Sequence, residues 1–287
     1  MNIYEYQNQI IIENAEHFNL RDTFECGQYL NFSKIGENDF ETVAFGKYLR
    51  VYQDKNKIYL ETNLEDFENI WRKFFDIDRD YKKIFEDLRR DEILKKASDF
   101  CPGVRILRQE PFECLISFII SQNNNIPRIK KIIERLCGNF GKQIIVGTPY
   151  MVSGRDISRP CAFPSAEKIA NLNIDDLDVL KAGFRAEYIH GAAKKVASGE
   201  INLDLIYNLN ADDGAQYLKQ IKGVGDKIAA CVLLFAYNKL ETFPVDVWIK
   251  KVIEKYYPCD FDYKKTFGEY AGIAQEYLYY YERKNKF

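Results

Sequence analysis

The feature that most limits what this chain can fold into is a change of hydrophobic period near residue 64. Before it, apolar and polar residues alternate, rich in aromatic and β-branched side chains, as over 8–12, 29–35, 41–45 and 57–62. Turn-forming runs such as Gly36-Glu37-Asn38-Asp39 and Gln53-Asp54-Lys55-Asn56-Lys57 separate them. A period of two broken by such turns specifies an antiparallel sheet. From Leu64 the period lengthens towards 3.6, which predicts helices over 64–75, 81–100, 111–122 and 126–140. Further helices are expected at 165–171, 174–181, 185–198, 211–221, 226–237, 246–257 and 263–285, and the Gly-, Ser- and Pro-rich stretch 147–164 reads as a loop. The expected class is α+β: a β-rich N-terminal domain with its following helices over 1–100, then a mainly helical domain over 101–287.

Within the helical part, residues 218–246 carry the densest chemical information. A helical run stops at Gly223-Val224-Gly225, restarts as an apolar helix and ends at Pro244-Val245-Asp246. Glycines between two helices permit tight bends and leave N–H groups unsatisfied at the next helix start, a ready phosphate site. Lys227 falls in the first turn of that helix, and Cys231 follows one turn later on the same face. Asp246 precedes another helical run, where a carboxylate is held in place and kept ionised. A phosphate grip, an amine and a fixed carboxylate together point to an enzyme that acts on DNA.

This pattern resembles the helix-hairpin-helix DNA glycosylases. The resemblance extends to Val104-Arg105-Ile106-Leu107-Arg108-Gln109-Glu110-Pro111-Phe112-Glu113-Cys114-Leu115 and to Ser121-Gln122-Asn123-Asn124-Asn125-Ile126-Pro127-Arg128-Ile129. It continues through Gly183-Phe184-Arg185-Ala186-Glu187-Tyr188 and Tyr270-Ala271-Gly272-Ile273-Ala274-Gln275. In that order the segments look like the 8-oxoguanine DNA glycosylases of the eukaryotic type, in a bacterial-like member, over roughly residues 20 to 285.

The resemblance implies a role for each matching residue. Lys227 would be the nucleophile that captures the sugar C1′ as a Schiff base, with Lys222 its competitor, and Asp246 would stabilise the cationic sugar. Reaching a base inside a duplex requires flipping it out. Asn123 would fill the vacated space, Arg128 and Arg185 would read the estranged cytosine, and Phe184 would wedge beside it, where the family usually has Tyr. Asn124 and Asn125 read as turn and capping residues. For the lesion, the Gly27 carbonyl would accept the N7 proton that 8-oxoguanine carries and guanine lacks. Gln275 would contact the pairing edge, and Tyr279 and Cys231 would sandwich the base. Gly223, Val224 and Gly225 would hold DNA phosphate. Trp248 stands where the family usually has a His, and Gln122 where it has a Ser.

Charge and cysteine usage narrow the partners. The net charge of −2 argues by itself against nucleic acid, but its distribution reverses that. Residues 103–147 hold seven Lys/Arg against three acids, and 217–255 hold seven Lys against four, leaving −9 for the rest. A basic face on an acidic body can bind phosphates while limiting non-specific adhesion. Seven Cys without paired spacing fit a reducing compartment, and the N-terminus lacks the pattern of a signal peptide. The expectation is a cytoplasmic monomer, nucleoid-associated if bacterial, acting on double-stranded DNA with 8-oxoguanine and without a membrane. Side chains offer no metal site, and the cysteines no Fe–S cluster. By resemblance, hairpin carbonyls could hold a structural cation. Two rivals remain: an alkylated-base glycosylase of the same fold, which Lys227 disfavours, and a non-catalytic helix-hairpin-helix module, which Asp246 and the Asn/Arg set disfavour.

Overall fold

The structure, a computed structural model, describes residues 1–145 and 160–285, so most of the expected loop at 147–164 lies outside it. Six strands, β1 (Asn2–Tyr6), β2 (Gln9–Glu13), β3 (Phe32–Gly36), β4 (Asp39–Ala44), β5 (Lys47–Asp54) and β6 (Lys57–Leu60), form one antiparallel sheet. Their order is β1-β2-β6-β5-β4-β3. Tight turns set the register. Gln7 and Asn8 both take positive φ between β1 and β2, as do Phe45 and Gly46 between β4 and β5, which matches the twist of the flanking strands. Alternation then buries one face: Ile10, Ile12, Phe40, Leu49, Val51, Ile58 and Leu60 pack with Trp71, Phe74 and Phe75.

The short helix Leu20–Glu25 lies in sequence between β2 and β3, and the alternation rule gave no sign of it. Asn19 caps it by accepting from Asp22 N at 2.9 Å, and Phe24 stacks on Phe40 with centroids 4.9 Å apart. The helix ends into the turn that carries Gly27.

Two expected long helices are broken. The stretch 81–100 divides into Tyr81–Leu88 and Glu92–Phe100, because Asp91 accepts from the N–H groups of Ile93 and Leu94 and so starts a new helix. The stretch 263–285 divides into Tyr263–Phe267, a 3₁₀ turn at Gly268–Tyr270 and Ala271–Lys284, with Gly268 at φ +55° between them. A further 3₁₀ helix, Leu203–Asn208, has no periodic signal.

The second core belongs to the helices. Pro111–Ile120 is buried along its whole length and packs against Ile126–Phe140, Arg185–Ala197 and Asp226–Phe235. Tyr81, Ile84, Phe85, Leu88 and Leu94 pack into this core, so both helices of the 81–100 stretch join the helical unit in packing, although they precede residue 101 in the chain. Leu107 packs the other way, into the sheet core.

Candidate active site and nucleic-acid interface

The hairpin between Ala211–Leu218 and Asp226–Phe235 is built by its glycines. Gly223 lies at φ +92°, and a Cβ there would come within 2.7 Å of the Tyr188 ring. Gly225 starts the next helix with no side-chain cap, and a Cβ there would meet nothing within 4 Å. Val224 tucks into the core while Gly225 and Asp226 face solvent, so the first N–H groups of the helix point outward without side-chain acceptors. Lys222, exposed, lies over the Tyr188 ring at 5.9 Å.

Lys227 is half-buried. Its Nζ donates to Ser121 Oγ at 3.4 Å and lies 5.1 Å over the Phe118 ring. Cys231, one turn on, is buried, and burial pushes its thiol up to about 11 despite the opposing pull of the Lys227 ammonium. Asp246 caps Val247–Tyr256 and accepts from Trp248 N and Ile249 N, each at 2.9 Å. Lys227 and Asp246 both act electrostatically on Cys231 and on Glu276, which brings the amine and the carboxylate to one region.

Gly27 and Tyr279 meet across a narrow gap. Gly27 has φ +110°, and a Cβ on it would lie 3.4 Å from Tyr279 Cε1 and 3.5 Å from Ile126 Cδ1. Burial pushes the Tyr279 hydroxyl up to about 12, with Arg283 acting against the shift. Gln275 is buried with its amide oxygen unpartnered. The turn is fastened from behind: Gln28 donates to Arg105 O at 2.7 Å and accepts from Leu107 N at 2.8 Å. Gln109 donates its amide to Gln28 O at 2.7 Å and its backbone N–H to Phe235 O at 2.8 Å. Phe235 is the last residue of the helix that carries Lys227.

The Asn run forms a second cluster. Asn123 is exposed at φ +43°, Asn124 Nδ2 donates to Ile120 O, and Asn125 accepts from Arg128 N as the cap of Ile126–Phe140. Arg185 is buried beneath them. It donates to Gln122 O, to Asn123 O at 2.9 Å and to Ala182 O at 3.1 Å, so most of its five N–H groups hold the turn. Its pKa is lowered by burial and then by Arg128, which places the two guanidiniums as neighbours. Phe184 is 55% exposed, enough to offer its ring to a partner, with the Arg185 guanidinium 4.5 Å over it.

Two residues of this region escaped the sequence reading. Arg283 donates to Tyr279 Oη at 3.2 Å and to Glu25 O, and a Cβ at Gly27 would lie 2.5 Å from its Nη1. Glu276 is buried with one carboxylate oxygen unpartnered. Burial pushes its carboxyl up to about 7, with Cys26 and then Arg283 opposing. The signal for Arg283 was the i, i+4, i+8 spacing of Gln275, Tyr279 and Arg283 on one helix. Among the described residues, no group of three or more His, Cys, Asp or Glu could hold a metal ion, and no helix is long and apolar enough to cross a membrane.

A six-stranded sheet ahead of a helical unit whose glycine hairpin leads to a lysine and a capping aspartate is the frame of a base-excising DNA repair protein. Residues 10–115 match the N-terminal domain of 8-oxoguanine DNA glycosylase, residues 116–273 match the HhH-GPD superfamily of base excision DNA repair proteins, and the chain belongs to this family. It is 32% identical over 255 residues to the N-glycosylase/DNA lyase of Saccharomyces cerevisiae, an alignment covering 81% of this chain and 63% of the yeast protein. To the N-glycosylase/DNA lyase OGG1 of Arabidopsis thaliana it is 29% identical, over 90% of this chain and 75% of the plant protein. A solved structure of Clostridium acetobutylicum 8-oxoguanine glycosylase/lyase, in complex with DNA containing cytosine opposite 8-oxoguanine, superposes with a TM-score of 0.90 at 37% identity. That match covers 100% of this chain and 99% of the other. A structure of MBOgg1 with a low-affinity DNA ligand matches with a TM-score of 0.92, also at 37% identity, over 100% of this chain and 99% of the other.

Proposed function

We propose that this chain excises 8-oxoguanine paired with cytosine from double-stranded DNA and then cleaves the strand by β-elimination. The observation that carries the reading is the convergence of Lys227, Cys231, Asp246 and the Gly27–Tyr279 gap on one region, beside a hairpin with free N–H groups. The hairpin grips the phosphate of the lesion strand. The extruded base enters between Cys231 and Tyr279, offers its N7 proton to the Gly27 carbonyl and meets Gln275 with its pairing edge. The unpartnered Gln275 oxygen is an acceptor awaiting such a donor.

Lys227 attacks C1′ as its free amine once its proton has been given up, while the bond to N9 breaks, and the departing base takes the electron pair and the proton that the newly bonded nitrogen sheds. Asp246 offsets the positive charge that develops on the sugar. Ring opening then leaves a Schiff base between Nζ and C1′. Loss of a C2′ proton expels the 3′ phosphate, and hydrolysis restores the amine. Asn123 fills the vacated stack, Arg128 and the free donor capacity of Arg185 face the estranged cytosine, and Phe184 wedges beside it. The chemistry needs no organic cofactor. A structural cation, where bound, would rest on hairpin backbone carbonyls, and no step passes through it. We place the protein in the cytoplasm as a monomer, on its DNA substrate.

The test is borohydride trapping on an 8-oxoguanine duplex with each of the four opposite bases. A covalent adduct that forms with wild type and is lost in Lys227→Gln is expected. An adduct that persists in Lys227→Gln and disappears in Lys222→Gln would reassign the nucleophile.

A further inference from the structure

Beyond the lesion site, the helix Ile126–Phe140 presents Arg128, Lys131 and Arg135 at spacings of three and four residues, and so along one face. Lys181, from the segment that follows the 3₁₀ helix Ile174–Leu180, faces them. Together with Asn125 and Pro127 these side chains line an open groove of about 500 Å³ that contains no acidic residue. Arg128 donates to Lys181 O at 3.5 Å and Arg135 to Leu180 O at 3.2 Å, contacts that fix the two walls without neutralising either cation. Among the described residues none of the four cations forms an ion pair, whereas most of the other described arginines do. Unpaired like charges gathered in a concavity repel one another, and a polyanion relieves that repulsion.

We infer that this groove binds consecutive phosphates of the undamaged DNA strand, next to the nucleotide left unpaired by base flipping. The inference rests on the function proposed above. Strand assignment follows from Arg128, which belongs at once to the groove and to the cluster with Asn123 and Arg185 that faces the estranged base. The hairpin and Lys227 serve the lesion strand. From Arg128 to Arg135 the helix advances about 10 Å at 1.5 Å per residue, the length of about three nucleotide steps, since one strand rises about 3.4 Å per nucleotide. The occupant is therefore a nucleic-acid backbone read by charge. Sequence reading stays with Arg128.

The double variant Lys131→Gln/Lys181→Gln tests this, since both side chains are exposed and neither belongs to the catalytic cluster. On an 8-oxoguanine·cytosine duplex, the slope of log affinity against log salt should become shallower by about 1.8, from roughly 0.9 per lost phosphate contact. Binding of the isolated lesion strand should match wild type, as should the excision rate at saturating enzyme. Neutral methylphosphonate linkages beside the estranged cytosine should weaken wild type and weaken the double variant less, because only Arg128 and Arg135 remain to meet them. An unchanged duplex slope, an equal loss on the isolated lesion strand, or losses that add to those of the neutral linkages would each overturn the inference. If the double variant fails to fold, Lys131→Gln alone carries the test with a slope change of about 0.9. Wild-type excision of the same duplex is read separately: its absence would refute the glycosylase reading, while normal excision with an unchanged slope would remove only the groove.

Discussion

Gly27→Ala puts the lesion pocket to its most direct test. At φ +110° an alanine is strained by roughly 1–3 kcal/mol. Its methyl would lie 2.5 Å from Arg283 Nη1, so the guanidinium must move and give up its bonds to Tyr279 Oη and Glu25 O. Those bonds contribute about 1 kcal/mol each, which brings the expected destabilisation to roughly 3–5 kcal/mol. For a protein of this size that corresponds to a fall in Tm of roughly 5–8 °C. This exceeds what a turn glycine suggests from sequence alone, because the sequence does not show Arg283 behind it. Thermal unfolding and single-turnover excision, measured well below the transition, separate the two effects. Excision should fall by about a hundredfold or more, since the same methyl narrows the gap to Tyr279 from the glycine side. In Gly27→Ala/Arg283→Ala the bonds of Arg283 are lost only once. The double variant should therefore be more stable than the sum of the two single losses by about 1–2 kcal/mol. Strict additivity, or normal excision by Gly27→Ala, would refute the reasoning.

Other outcomes follow from the same geometry. Asp246→Asn keeps an acceptor for Trp248 N and Ile249 N while removing the charge, so the excision rate should drop by about two decades or more with Tm nearly unchanged; a rate within tenfold of wild type would deny Asp246 its role. Arg128→Ala should slow excision opposite cytosine more than opposite adenine, narrowing the ratio by about one to two decades, and equal slowing with all four opposite bases would make Arg128 a phosphate contact only. Glu276 has a folded pKa raised to about 7 from 4.5 by burial, so its carboxyl destabilises the fold when ionised above that range, and the penalty disappears as pH falls from 7 towards 4.5. Glu276→Gln should thus raise stability at pH 8 by at most about 3 kcal/mol and give little gain at pH 5; an equal gain at both pH values would show that ionisation is not the cause.

The parts legible in the sequence are those whose local chemistry leaves no alternative. Gly223 must take φ +92° and make room for Tyr188, and Asp246 must cap a helix, so both positions announce themselves. Alternation marked the sheet, although the short helix Leu20–Glu25 was hidden because six residues complete fewer than two turns of a period. Asp91 broke a helix that amphipathicity alone would have continued, since a good cap inside a periodic run competes with propagation. The buried charges were least legible. Glu276 and Glu282 are buried and Arg283 half-buried in a tyrosine-rich helix, and only tertiary packing turns these charges inward. Arg185 shows the same limit from the other side. Its type suggested base reading, whereas its burial commits most of its donors to the carbonyls of the Asn turn.

The hydrogen bonds that run from Gln28 through Gln109 to Phe235 have a metrical consequence. They join the Gly27 turn to the far end of the helix that carries Lys227 in its first turn, through buried groups on both sides. If the Gly27 carbonyl reads the base and the Lys227 amine attacks the sugar, as proposed, the two are the jaws of one caliper, with its span set inside the core by Gln28, Gln109 and Phe235. On that reading, a nucleotide whose base seats short of the carbonyl would not bring C1′ to the amine. Selection of the lesion and timing of the attack become a single length measurement. Loosening the spine of the caliper, as in Gln109→Ala, would blur both at once while leaving every group that touches the substrate in place.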